Sequence, residues 1–124
     1  MIAIYMVGNN LSLSFNNRRV SSDKNIIDDI YKEYDSINIF SCSKDLFINR
    51  KYNIVDSISD GVYFLESNYD ILPSKLIIYK FNRDYPSGNN LNIDLSYYKI
   101  IDSYDFIGNS HGKITKEVYE YDKD

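Results

Sequence analysis

The sequence predicts a single α+β domain over residues 1–124, with a mixed or mostly antiparallel sheet, one clear helix and one or two short helices. Three observations carry that expectation. Two β-rich runs, "MIAIYMVG" and "KLIIYKF", are apolar on both faces. One stretch, at about 23–34, repeats its apolar residues at helical spacing. Several shorter segments alternate apolar with polar residues and are separated by Asn, Gly and Pro. A chain of 124 residues supports one core, since folding at this length buries roughly two-thirds of the surface the unfolded chain exposes.

In chain order, "MIAIYMVG" reads as a central strand. "NNLSLSFNNRRVS" alternates Leu11, Leu13 and Phe15 with polar neighbours and then reaches Asn16-Asn17, a pair that tolerates the positive φ of a tight hairpin turn. Ser22 is placed to cap the helix, with Asp23 at the positive end of its dipole and Ile26, Ile27, Ile30, Tyr31 and Tyr34 on one face. "SINIFSCS" predicts a strand with Phe40 and Cys42 sharing a face, and hence a buried, inert thiol. Residues 44–60 show no clean period; a short helix near Val55, ended by Gly61, is the reading adopted. "VYFLES", "KLIIYKFNR", "LNIDLS" and "YYKIIDSYDF" read as extended. Residues 113–122 satisfy both patterns: Ile114, Thr115, Val118 and Tyr119 favour a strand, while Ile114, Val118 and Tyr121 also share a helical face.

The charge is −4 and the pI about 4.9, the wrong sign for a protein that coats a phosphate backbone. That speaks against nucleic acid as a partner and for a basic protein partner. With 13 Tyr, 6 Phe and no Trp, aromatic character rests on a side chain suited both to half-buried sheet positions and to recognition surfaces. Exposed tyrosines also allow a homodimer. Cys42 is alone, so no intrachain disulfide forms and a reducing compartment fits. The first eight residues are too short to span a bilayer and lack a basic leader. The expectation is a cytoplasmic protein without membrane contact.

The absences narrow the chemistry. One His and one Cys do not build a nitrogen and sulfur zinc site; of the helix carboxylates Asp28, Asp29 and Glu33, Asp28 and Asp29 are expected to point in different directions and face solvent, so no metal is expected. No phosphate-binding loop or dinucleotide fingerprint is present, so no cofactor is expected. A nucleophilic triad would need His111 between a hydroxyl and an acid, and the adjacent Ser110 is poorly placed for that. An acid–base site without metal remains: His111 and Lys113 of "GNSHGK" with Arg83 and Tyr85 of "FNRDYPS" supply a base, cations and a phenol of the kind that cleave RNA through its 2′-hydroxyl.

The strings "NRRVSSDKNIIDDI", "IIYKFNRDYPSG" and "DFIGNSHGKITKEVYE" resemble a family of short bacterial proteins often labelled ribonuclease Z, with patterns like "YKWNRxYP" and "GxSHxKITKEVY". The resemblance spans most of the chain and implies that Arg83, Tyr85, Pro86, Ser110, His111, Lys113 and Thr115 occupy the family's recognisable positions. Phe81 stands where the pattern has Trp. A zinc-dependent ribonuclease is nevertheless excluded, because the chain lacks the histidine-rich ligand set.

Two functional expectations follow. The favoured one is a small acidic binding protein, not an enzyme: an immunity or inhibitor type that blocks a basic partner such as a nuclease toxin. Its contact residues would be Tyr97, Tyr98, Asp102, Tyr104, Asp105, Glu117, Tyr119 and Glu120, where acids and tyrosines interleave. The alternative is a metal-independent RNA-cleaving or RNA-binding protein using His111 with Arg83, Lys113 and Tyr85.

Overall fold

A computed structural model describes residues 1–86 and 88–122. The chain forms β1 (Ile2–Val7), β2 (Ser12–Phe15), β3 (Arg18–Arg19), α1 (Lys24–Glu33), β4 (Ile37–Ile39), β5 (Tyr52–Ile54), β6 (Val62–Phe64), β7 (Lys75–Lys80), β8 (Asn89–Asn90), β9 (Tyr98–Phe106) and β10 (Ile114–Tyr121). Seven strands make the main sheet, in the order β5-β4-β6-β1-β7-β10-β9, and β3-β2-β8 make a small second sheet. The domain is α+β with a mixed sheet. Its first five strands run parallel, and β10 and β9 close the far edge antiparallel.

The two doubly apolar runs become the adjacent central strands β1 and β7, in register from Ile2↔Lys75 to Val7↔Lys80. Successive side chains point to opposite faces. Ile4, Met6, Ile77 and Tyr79 therefore meet α1 through Ile26, Ile27 and Ile30. Ala3, Tyr5, Val7, Leu76 and Ile78 pack on the other face under Leu13, Leu91 and Tyr98. Burying each of the three helix isoleucines is worth roughly 1.5–3 kcal/mol, more than the intrinsic propensity of a ten-residue helix supplies.

Several expectations need correction. The helix starts one residue later than predicted and ends at Glu33, and its cap is Asp23 rather than Ser22: the Asn25 N–H donates to Asp23 Oδ1 at 2.9 Å. β4 stops at Ile39, and a 3-10 segment, Ser41–Phe47, follows. The polar run from Ser41 to Asp45 lies beyond the sheet edge, so Cys42 is exposed, not buried beside Phe40. No helix forms near Val55; Tyr52–Ile54 is the edge strand β5, parallel to β4. "LNIDLS" is not a strand. Asp94 accepts the Ser96 N–H at 3.0 Å and starts a 3-10 turn, Leu95–Tyr97. Residues 114–121, which satisfied two patterns, form strand β10, because they pair with both β7 and β9.

Asp29 does not face solvent. It is buried under the sheet and accepts from the Tyr79 hydroxyl at 2.6 Å and from Lys116 Nζ at 2.9 Å, while Tyr104 donates at 3.2 Å. Lys116 is 2% exposed and also reaches Glu33 at 3.3 Å. Burial alone would lower the lysine's pKa, but Asp29 and Tyr104 hold it above the ordinary range, and Asp29 is correspondingly lowered. Asp28 instead pairs with Arg50 near the surface.

Removing one partner of such a pair strands the other as a buried charge. Asp29→Ala is therefore expected to lower the unfolding free energy by about 3–5 kcal/mol in urea titration. The double variant Asp29→Leu, Lys116→Met should recover most of that loss. Equal destabilisation by the single and the double variant would contradict the pairing.

Candidate functional site

The topology points to one edge of the sheet. The chain leaves β4 outward to β5 but leaves β6 the other way, across β1 to β7. Neighbouring strands whose connections diverge leave a crevice at their carboxyl ends, which is where open parallel sheets bind ligands. A cleft of about 610 Å³ lies there, lined by Ser14, Asn17, Arg18, Arg19, Cys42, Glu66, Ser67 and Asn89. Cys42 follows β4, and Glu66 and Ser67 follow β6, so the cleft straddles the divergence.

Its outer wall is the β2–β3 hairpin, turned at Asn16 and Asn17, whose φ values are 50° and 60°. Gly88 lets β8 approach that hairpin, since a Cβ there would lie 2.1 Å from the Ser14 carbonyl oxygen. The floor is an ion-pair network. Arg19 donates from Nε to Glu66 at 2.6 Å, from its terminal nitrogens to Asp45 at 2.6 and 2.9 Å, and to the Cys42 carbonyl at 3.1 Å. Ser43 Oγ donates to Glu66 at 2.6 Å. The Arg19 hydrogen bonds hold the Asp45 carboxyl below its ordinary range. Arg19 is thus fully committed, whereas Arg18 beside it makes no ion pair among the described residues.

Behind Arg19 and Glu66 lies a second pocket of about 10 Å³, bordered also by Met6, Leu13, Phe64, Leu65 and Ser21. Ser21 begins a relay. Its Oγ is 3.0 Å from His111 Nε2, and His111 Nδ1 is 2.8 Å from Asp23 Oδ2. The imidazole is buried and stacked on Phe81 at 4.7 Å between centroids. Asp23 is fully buried and accepts the N–H groups of Asn25, Asn109 and Ser110 at 2.9, 2.8 and 3.0 Å. Burial alone would raise this carboxyl, but these donors and His111 outweigh it and hold it at about 2. An anionic Asp23 accepts the hydrogen bond of a protonated Nδ1 and leaves Nε2 as the acceptor for the Ser21 hydroxyl.

The structure does not assemble the residues singled out with His111. Arg83 is exposed and offers its carbonyl to the Asn9 N–H. Lys113 is 63% exposed and faces Asp105 at 3.8 Å. Tyr85 contacts the edge of Phe81, and its hydroxyl is buried without a protein partner. None of the three makes a hydrogen bond or ion pair with His111.

The expected acidic, tyrosine-lined face is likewise not free. Tyr98 is buried with its hydroxyl on the Pro73 carbonyl, Tyr104 donates to Asp29, and Glu117 is taken by Lys80 and Tyr119. Tyr97, Asp102, Asp105 and Glu120 do remain exposed. What sequence reasoning missed is Ser21 and Asp23, 90 and 88 residues from His111. Their only sequence signal was a helix-cap pattern. Among the described residues no cluster of His, Cys, Asp and Glu is arranged to hold a metal ion, and no helix is long and apolar enough to cross a membrane.

No protein-family model matches this chain, and no curated protein does. Among solved structures, a dihydrofolate reductase from Enterococcus faecalis complexed with NADP(H) and RAB-propyl superposes over 98% of this chain and 96% of that one. The TM-score is 0.65 and the identity 8%, so the likeness is one of fold. It corrects both functional expectations, the immunity or inhibitor protein and the RNA-cleaving or RNA-binding protein: the fold is that of a dihydrofolate reductase.

The dinucleotide in that structure does not fit the residues here. A pyrophosphate needs a cradle of backbone N–H groups at a glycine-rich turn or a helix start. The segments after β4 and β6, residues 40–47 and 65–74, contain no glycine and no α-helix, and Arg19 is already neutralised.

The Asp23 network sets a pH dependence. Its native value of about 2 against an ordinary 3.8 makes its stabilisation complete above pH 3.8 and lost as the pH falls through 2. The total is about 2 kcal/mol. Urea unfolding at stepped pH should show this slope in the wild type and lose it in Asp23→Asn; an unchanged slope would contradict the assignment.

Proposed function

We propose that this protein is a small-molecule enzyme whose ligand occupies the cleft between the carboxyl ends of β4 and β6. The observation that carries the reading is the coincidence of that cleft with the topological divergence of a sheet shared with a small-molecule enzyme. The lining selects the ligand class. Asn17, Asn89, Ser14 and Ser67 offer amides and hydroxyls, and among the described residues Arg18 is the one lining charge without an opposite partner, because Arg19 and Glu66 neutralise each other. A compact, polar molecule carrying one acidic group matches that set. The exposed Cys42 thiol at the rim suits a reducing compartment, and we place the protein in the cytoplasm on that basis.

NMR titration of the ¹⁵N-labelled protein with a set of small monocarboxylates tests this directly. Shifts should concentrate at Arg18, Cys42, Ser67 and Asn89, and Arg18→Ala should weaken the best binder about tenfold, the equivalent of about 1.4 kcal/mol. Shifts confined to other surfaces, or an Arg18→Ala variant that binds as well as wild type, would overturn the reading.

A further inference from the structure

The relay behind the cleft has the connectivity of a nucleophile, a base and an orienting acid, and we propose that Ser21 is the nucleophile of an acyl-transfer reaction on a compact ester or thioester. The inference deepens the reading above and rests on it for the substrate's second, anionic group, which Arg18 would hold.

Geometry carries the inference. The Ser21 hydroxyl, His111 Nε2, His111 Nδ1 and the Asp23 carboxylate form an unbroken chain at 3.0 and 2.8 Å, in the order that activates a serine. Such a constellation is recognised by geometry and roles, not by order along the chain. The imidazole is clamped between Phe81 and Asp23, so its ring plane and tautomer are fixed in advance. Ser21 itself is half-buried, and it borders the small pocket that shares Arg19 and Glu66 with the cleft. That pocket, about 10 Å³, is close to the space one water molecule needs.

The Ser21 and Ser22 N–H groups precede α1 and make no hydrogen bond among the described residues. They are free to meet an oxyanion near the positive end of the helix dipole. Arg18 and Ser21 are three residues apart along the chain, so their Cα atoms lie at most about 10 Å from each other. That is within the span of one small substrate.

The reaction balances without any further reagent except water. Ser21 Oγ attacks the acyl carbon as its proton passes to His111 Nε2, and the carbonyl oxygen takes the displaced electron pair. Collapse of the tetrahedral adduct breaks the bond to the leaving alkoxide or thiolate, which takes the proton from Nε2. A water then repeats the sequence on the Ser21 ester, with Nε2 again as base, and releases the acid. Asp23 is a positioning residue throughout.

Diisopropyl fluorophosphate tests the nucleophile on the wild-type protein. Its phosphorus is attacked by an activated serine with loss of fluoride, and peptide mapping locates the adduct. Ser21 should be modified at least about 100-fold faster than the exposed Ser57 and Ser103, the acceleration a positioned base typically supplies. Ser21→Ala should give no adduct while keeping the wild-type melting temperature. The best monocarboxylate from the NMR titration should slow the reaction. Ser21 reacting no faster than Ser57 and Ser103 would overturn the nucleophile while leaving the binding cleft standing. Rapid Ser21 modification unaffected by a bound monocarboxylate would overturn the assigned substrate class.

Discussion

The fold and the site both depend on one buried carboxylate. Asp23 ends the approach to α1, caps the helix through the Asn25 N–H, and gathers the N–H groups of Asn109 and Ser110 together with His111 from the loop joining β9 to β10. Gly108 makes that gathering sterically possible, since a Cβ there would sit 2.6 Å from Asp23 Oδ2. Each charge-assisted hydrogen bond of this kind contributes roughly 1.5–3 kcal/mol. Because the donors come from two distant parts of the chain, one anion ties the helix start to the last hairpin of the sheet. A second tie, Asp29 with Lys116, Tyr79 and Tyr104, fastens the middle of the same helix to β7, β9 and β10. Helix α1 is thus held by two carboxylates six residues apart, with Ile26, Ile27 and Ile30 packed between and beside them.

Those ties explain how a short acidic chain keeps a mixed, mostly parallel sheet with only one α-helix covering it among the described residues. The face opposite α1 is covered by irregular segments that bring Val55, Ile58, Tyr69, Ile71, Ile93 and Leu95 against the core. Irregular backbone on that side leaves the carboxyl ends of β4 and β6 open, and the cleft forms there. Arg19, Glu66 and Asp45 then form an ion-paired floor that needs no ligand to be satisfied. Arg18 stays at the rim with its charge uncommitted.

The parts of the fold legible in the sequence were those where one physical signal dominated. "MIAIYMVG" and "KLIIYKF" had to be central because they are apolar on both faces. Asn16-Asn17 had to turn because both residues tolerate positive φ, and 24–33 had to be helical because its isoleucines recur at 3.6-residue spacing. Strand β10 was obscured by Lys116, a lysine in the buried phase of the strand that Asp29, with Glu33 and Tyr104, makes tolerable. Cys42 was misplaced because strand alternation was extended past the point where the chain leaves the sheet. The site was least legible of all. Ser21 and Asp23 carry only the mark of a helix cap, and nothing local shows that the imidazole 88 and 90 residues away will sit between them. The net charge misled in another way, because it counts acids such as Asp29, Glu117, Glu66 and Asp28 that are spent on Lys116, Lys80, Arg19 and Arg50.

Function enters through the orientation of one ring. If the Asp23 carboxylate fixes His111 as described, the helix start, the last hairpin and the Ser21 hydroxyl on the small pocket behind the cleft belong to one device. Long-range ¹H–¹⁵N correlation of the neutral imidazole measures that orientation in solution. A protonated Nδ1 with a bare, acceptor Nε2 is the predicted result; a proton resident on Nε2 would contradict it, because Asp23 would then not be directing the ring and Ser21 would have no base.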